Sequence, residues 1–512
     1  MVDLGGGVQA IDWLAVAPVL VVACAAVVVL LADAFAGPPR SRRQALVPAA
    51  LTLAGVAAAA VPAVRLWGER RSTFCVGGVL EGPAACSFVV DPVTLVFWGV
   101  VLFGTAVVAL LGTAAVAEGR TPQGEWNFLL LCSATGAMAI AASRDLVTLV
   151  VALEVVSLPA FAMVGLRRDD PRAAEASMKF FLVSVVSTAV MLMGVSLVYG
   201  ATGSMFLTQV DQALVTGAGP REVAVAGALL TVVGLAFKVA AVPFHMWVPD
   251  TYVGAPVAVA AYLSVVSKAA GFVGLMLVLG LGLRDLAPVW APLVAVLAAL
   301  TMTVGNVLAL GQQHAVRLLA WSSVAQAGYM LVPFAAVGAA GAAGSAGAAG
   351  SGAGGLEPLG ASVGYLAIYA FVNLGAFAVA AVVGTRHPRQ RLTDYRGLVR
   401  EEPLAGWALV FALVALAGLP PGVVGLLAKV VVFSSVSSAV TWLAVVMAVN
   451  VAIGLVYYAR WLVELFRPAE VPGRSTYDVP NGVGVAVGMT FAAGVVLSVF
   501  PGLLLDPVLA IF

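Results

Sequence analysis

Four side chains in this sequence invite chemistry before anything else does. Of its 26 basic residues only Lys179, Lys238, Lys268 and Lys429 are lysines, and all four fall inside strongly apolar stretches, while the arginines sit in loops or at stretch ends. A charge at the centre of a bilayer costs roughly 2.5 to 3.5 kcal/mol on insertion scales, so such residues mark function more often than accident. Arginine stays protonated in a protein, whereas a desolvated lysine can release its proton and take it back. A group that must alternate between charged and neutral therefore has to be lysine. The pattern points to proton movement.

The stretch Gly234 to Phe272, GLAFKVAAVPFHMWVPDTYVGAPVAVAAYLSVVSKAAGF, holds two of these lysines on either side of Pro243, His245, Trp247, Pro249 and Asp250. Imidazole titrates near neutral pH, which makes His245 a candidate to pass a proton between Lys238 and Lys268. Upstream, Glu154 in LVVALEVVSLPAF and Lys179 in EASMKFFLVSVVS lie on consecutive apolar stretches. A buried carboxylate needs a partner, and an ammonium on the next stretch is the simplest one, so Glu154 is expected to face Lys179. A structural salt bridge is the plainer alternative for that pair. Lys429 follows Gly418, Leu419, Pro420, Pro421 and Gly422, just as Lys238 precedes Pro243. Proline inside a helix removes a hydrogen bond and kinks it, so both spans should be interrupted beside a lysine.

The elements that must position these groups follow from composition. With 62% hydrophobic and 10% charged residues and a mean hydropathy of +1.06, the chain is far more apolar than a water-soluble protein. A net charge of +1 gives no argument for nucleic acid. Crossing ~30 Å of hydrocarbon takes about 20 apolar residues, and the sequence offers fourteen such runs, among them 146–166, 173–199, 222–248, 256–281 and 404–433. The expected fold is an all-α polytopic membrane protein of about 14 transmembrane helices. Paired interrupted spans point to two inverted five-helix repeats, each with a broken helix.

That division reads as an N-terminal three-helix segment (1–117), a first repeat (126–281), a second repeat (288–466) containing a glycine- and alanine-rich linker (338–355), and a C-terminal helix (484–512). Connections after odd-numbered spans carry 16 arginines against six after even-numbered ones, which places both termini on the outer side. Residues 206–221 read as a weakly amphipathic surface segment. Cys24 and Cys132 lie in spans; Cys75 and Cys86 share one outer loop and can form a disulfide if that side is oxidising. No clustered cysteine ligands and no glycine-rich nucleotide loop are present.

The stretch AFKVAAVPFHMWVPDTYVGAP resembles the central motif of the antiporter-like membrane-arm subunits of respiratory complex I, the bacterial NADH:quinone oxidoreductase, and its PFHxWxPDxYxGAP wording is that of the subunit N branch. NVLALGQQHAVRLLAWSSVAQAG at Asn306 to Gly328 resembles the next block, and AGLPPGVVGLLAK at Ala417 to Lys429 the broken twelfth helix. The chain departs from the family pattern at Val253, Val257 and Ala258, and at Val316 where a basic residue is usual. The resemblance implies that Glu154, Lys179, Lys238, His245, Lys268 and Lys429 lie on a proton path. It implies a translocase subunit with no redox centre or cofactor of its own, NADH, FMN, iron–sulfur clusters and quinone being handled by other subunits. It also implies subunit M and the small subunit K as neighbours and a bacterial plasma membrane as location. A subunit of a multi-subunit Na+/H+ antiporter and a non-conducting scaffold of the arm are the alternatives.

Overall fold

The computed structural model describes residues 11–37, 41–76, 85–115, 121–167, 170–342, 357–468 and 479–509. Its long elements are α1 (Trp13–Ala36), α2 (Val47–Arg65), a hairpin of β1 (Arg71–Val76) and β2 (Ala85–Val90), α3 (Pro92–Gly112), α4 (Gln123–Ala142), α5 (Leu146–Val164) and α6 (Pro171–Thr202). Then come α7 (Leu207–Thr216), α8 (Arg221–Lys238), α9 (Trp247–Gly254), α10 (Val257–Gly282), α11 (Ala287–Leu310), α12 (Ala315–Ala342) and α13 (Glu357–Arg386). The chain continues through α14 (Pro403–Ala417), α15 (Val423–Ser437), α16 (Thr441–Phe466), α17 (Asn481–Val499) and α18 (Gly502–Leu509).

Aspartate starts four of the long helices. Asp12, Asp91, Asp145 and Asp170 each accept a backbone N–H from the first turn of α1, α3, α5 and α6. A capping carboxylate satisfies a donor the helix leaves orphaned, a contribution of about 1 kcal/mol. Within the membrane the backbone must satisfy itself, which is why apolar composition and helix go together here.

Twelve helices are long and apolar enough to cross a membrane among the described residues. Two further apolar stretches are interrupted. The first stops as α8 at Lys238, turns through residues 239–246, where Val242–Pro243 is cis, and resumes as α9; the second stops as α14 at Ala417 and resumes as α15 at Val423. Prolines that cannot donate, and Gly418 at φ +83°, account for both stops.

Helices α10, α12 and α13 are apolar nearly all round and buried nearly all round, whereas α1, α6, α16 and α17 leave a broad apolar face open. Lys268 therefore lies on a central helix. Just before it, residues 263–267 of α10 widen into a π-helical turn, a feature frequent at functional sites.

The mostly helical architecture carries one small addition outside the spans. Strands β1 (Arg71–Val76) and β2 (Ala85–Val90) pair antiparallel, with Cys75 opposite Cys86 and joined to it by a disulfide. Threonine, phenylalanine, valine and cysteine suit a pleated strand, and the segment is too short and polar to span. The surface segment 206–221 contains α7, whose Leu207, Val210 and Leu214 face inward at helical spacing. The linker read at 338–355 begins as the end of α12, and beyond Ala342 it lies outside the described residues.

Candidate functional site

Lys238 is the last residue of α8, and its side chain is 8% exposed. Its Nζ donates to the hydroxyls of Ser157 (2.8 Å) and Ser184 (3.0 Å) and lies 3.6 Å from Glu154 Oε1. The same carboxylate oxygen accepts a hydrogen bond from Thr188 Oγ1 (2.8 Å). Glu154 and Ser157 are one turn apart on α5, Ser184 and Thr188 one turn apart on α6, so two helices each present an adjacent pair to the ammonium. α10 closes the site at Gly271, where a Cβ would stand 3.0 Å from the Lys238 backbone.

The expected Glu154–Lys179 pair is not formed. Lys179 is half exposed and bonds Glu175 (2.7 Å, one turn back on α6) and Asp250 (3.2 Å), which also approaches Arg317 (3.5 Å). Helix phase explains the difference. Thr188, which does reach Glu154, is nine residues beyond Lys179, roughly half a revolution around α6 and ~13 Å along it. Consecutive helices do not make every charge on them neighbours.

His245 lies in the interruption between α8 and α9, nearly buried. Its ring packs beside Trp321 with centroids 5.4 Å apart, and its Nδ1 has no hydrogen-bond partner among the described residues. No hydrogen bond joins it to Lys238 or Lys268.

Lys268 donates to the backbone oxygen of Ser323 (2.6 Å) and to its hydroxyl (2.5 Å), and the Tyr369 hydroxyl donates to that same Ser323 Oγ (3.0 Å). Lys429 is held differently again. Its Nζ donates to the carbonyls of Leu416 and Ala417, each at 2.8 Å, and stands over the Tyr329 ring. Those carbonyls end α14, where orphan acceptors and the negative end of the helix dipole converge. Gly418 makes the contact possible, since a Cβ there would come within 3.0 Å of Lys429 Cδ.

Hydroxyls and backbone carbonyls hold the lysines, with one carboxylate at Lys238, and reading the sequence for charge alone missed them. Ser157 was the one within reach, one helical turn after Glu154. Among the described residues no group of three or more His, Cys, Asp or Glu comes together as metal ligands do.

A cavity of about 480 Å³ opens on the arginine-rich side, its lining including Arg167, Asp170, Tyr252, His314 and Gln390. The Tyr252 hydroxyl is buried without a hydrogen bond of good geometry and stands close enough to Ser323 to interact with it. Tyr252 thus lines the cavity and neighbours Ser323, which accepts from Lys268.

Residues 143–454 match the family model described as NADH:quinone oxidoreductase/Mrp antiporter, TM. The chain belongs to this family. NADH-quinone oxidoreductase subunit N 2 of Streptomyces griseus subsp. griseus is 51% identical over 98% of this chain and 93% of its own length. NADH-quinone oxidoreductase subunit N of Salinispora tropica is 44% identical over 91% of this chain and 88% of its own. A chain of respiratory complex I from Thermus thermophilus superposes with a TM-score of 0.76 at 30% identity, covering 96% of this chain and 98% of that one. A chain of the Mrp complex from Dietzia sp. shares the fold, with a TM-score of 0.80 at 21% identity over 98% and 97%. As an NADH:quinone oxidoreductase/Mrp family member, the protein is a multi-pass membrane subunit, and the solved relatives belong to multi-subunit membrane complexes.

Proposed function

We propose that the chain is the proton-translocating subunit N of the membrane arm of an NADH:quinone oxidoreductase. The observation that carries this reading is the set of three buried ammonium groups, Lys238, Lys268 and Lys429, each held by polar partners inside the bundle and away from its open apolar faces. A buried ammonium with neutral partners is a poor stabiliser, because leaving water outweighs what such contacts return. Its retention at Lys268 and Lys429, beside a third ammonium that has a single partly exposed carboxylate, fits a proton carrier.

In this reading a proton enters from the arginine-rich, cytoplasmic side through the cavity above Tyr252 and reaches Lys268. Glu154 holds or releases the charge on Lys238, and Lys429 lies on the outward part of the line. His245, in the interruption beside Lys238, serves as a side station. Lys179 sets the charge of the surface next to Asp250. The chain contributes translocation to an oxidoreductase complex; NADH, FMN, iron–sulfur clusters and quinone are handled by its partners. Counting each interrupted stretch as one span gives fourteen, in two five-helix repeats at 126–281 and 288–466 after an N-terminal segment (1–117) and before a C-terminal helix (484–512). Both termini then lie outside the bacterial plasma membrane, with subunits M and K as neighbours. A cation/proton antiporter subunit shares this fold, but the PFHMWVPD stretch and the 51% identical relative support the oxidoreductase.

The test uses Lys238→Arg and Lys238→Met in the assembled complex, with proton uptake measured in membrane vesicles. Arginine keeps a permanent charge and methionine removes it, so both variants should lose most of the uptake. Full pumping by the arginine variant would end the shuttle reading.

A further inference from the structure

The cavity of about 480 Å³ on the arginine-rich side is large enough to hold a small organic molecule, and its lining is of two kinds. One kind is apolar and includes Leu111, Val253, Val257, Ala258, Val316 and Ala381. Val253, Val257, Ala258 and Val316 are the positions at which the chain departs from its family's pattern, so those departures converge on one place. The other kind donates hydrogen bonds. Trp126 and Tyr252 are 2% and 1% exposed, and neither the indole Nε1–H nor the Tyr252 hydroxyl has a hydrogen-bond partner of good geometry among the described residues. The indole nitrogen stands against Gly112, itself a lining residue, where a Cβ would come within 2.5 Å of it. His314 Nδ1 accepts the Arg317 backbone N–H (3.3 Å), so the neutral ring carries its hydrogen on Nε2. Arg167 brings a positive charge, and the first turns of α10 and α12 reach the lining at Val257, Ala258 and Val316. Helix N-termini favour anions. The acid among the described lining residues is Asp170, whose Oδ1 already accepts the Arg172 N–H at the start of α6 (3.0 Å).

We propose that this cavity binds a small amphipathic anion, its oxygens taking up the donors and its apolar body lying on the valine and alanine wall. A buried donor without an acceptor is unfavourable, so an occupant that brings oxygen acceptors is favoured over an apolar one. Water would satisfy the donors and gain nothing from the wall, while an uncharged polar molecule would forgo Arg167 and the two helix ends. The anionic group comes either from a lipid headgroup or from a soluble organic acid; the chemistry is shared. Tyr252 neighbours Ser323, which accepts from Lys268. On the proton-entry reading above, an occupant therefore stands in the proton's way and lowers uptake. That consequence rests on the reading, whereas the binding does not.

The experiment titrates the assembled complex in phosphatidylcholine nanodiscs with octanesulfonate by calorimetry, with octanol as the uncharged counterpart. A sulfonate keeps its charge and carries no protons across a membrane itself. The wild type is compared with Arg167→Gln, Trp126→Phe and, as a control at the opposite end of α10, Arg221→Gln, which breaks the exposed pair with Asp285. Octanesulfonate is expected to bind at least roughly tenfold more tightly than octanol, to weaken roughly tenfold or more in Arg167→Gln and several-fold in Trp126→Phe, and to be unchanged in Arg221→Gln. Either of the first two variants carries the test if the other fails to assemble. Adding phosphatidylglycerol to the nanodiscs weakens apparent binding where a lipid headgroup is the occupant and leaves it unchanged where a soluble acid is. In vesicles with the cytoplasmic face outward, octanesulfonate should lower proton uptake per NADH, and Arg167→Gln should require roughly tenfold more of it. Equal binding to the wild type, Arg167→Gln and Trp126→Phe, or binding no tighter than octanol's, overturns the site. Binding that responds to these variants while uptake stays untouched leaves the site standing and removes the cavity from the proton's route.

Discussion

Lys238 and Lys429 each adjoin an interrupted span, yet the fold holds them by opposite means. Lys238 ends its half-helix and looks across at side chains: two serine hydroxyls and a carboxylate that is itself partly exposed and tied to Thr188. Lys429 sits inside the second half-helix and is seated on the last carbonyls of the first, and among the described residues it forms no ion pair with a carboxylate. A side-chain carboxylate can be protonated, rotated or drawn off by another charge, so the field at Lys238 can change during a cycle. Backbone carbonyls at a helix end cannot be titrated, and their field is constant. The first site is thus built to respond and the second to receive.

The sharpest way to break that comparison is Glu154→Gln. The amide keeps the size and the Thr188 contact but removes the charge opposite Lys238. Proton uptake in vesicles of the assembled complex is expected to fall roughly ten- to a hundredfold, since the loss of a charge-assisted contact is worth about 1.5 to 3 kcal/mol. Unchanged uptake would put Glu154 on the same footing as a structural acid and erase the difference between the sites.

A smaller effect tests the other side. Gly418 occupies a left-handed conformation at φ +83° and leaves space that Lys429 Cδ fills. Gly418→Ala introduces strain of about 1 to 2 kcal/mol and a methyl group against the lysine stem. The assembled complex should melt a few degrees lower and pump several-fold more slowly, with the deficit confined to the outward half of the path. Were the Lys429 seat only incidental, the variant would lose stability and keep its coupling of uptake to NADH oxidation.

Much of this was legible in the residues. Proline beside lysine told of both interruptions, because a missing donor and a costly charge are properties of single residues that no packing overrides. The Lys238 pocket was only half legible. Glu154 stood out, but its partner depends on the rotational phase of α6 and on where α8 stops, and both are tertiary facts. Ser157, Ser184, Thr188 and Ser323 were overlooked, since a lone serine or threonine in an apolar run looks the same whether it bonds its own backbone or a charged group across the bundle. The strands were hidden for a different reason: the residues between the second and third spans read as a loop able to carry a disulfide, and only the register that sets Cys75 against Cys86 shows 71–76 and 85–90 to be strands.

The mildest prediction concerns Lys179, which the sequence offers as an equal of Lys238. Its ammonium is half exposed and shared between Glu175 and Asp250, with Arg317 balancing Asp250 from the far side. Exposed pairs contribute about 0 to 1 kcal/mol, and none of these groups reaches Glu154. Lys179→Met should therefore leave proton uptake per NADH within about twofold of wild type, whereas a lysine that truly shared Glu154 would match the Glu154→Gln defect. Measuring the double variant of Lys179→Met and Glu154→Gln decides the matter. Independent sites multiply their effects, so the double variant should pump at the product of the two single rates. A Lys179→Met defect as large as that of Glu154→Gln, with a double variant no worse than either single one, would instead mean that the two residues act as one, and that the surface cluster at Asp250 communicates with the Lys238 pocket through α6.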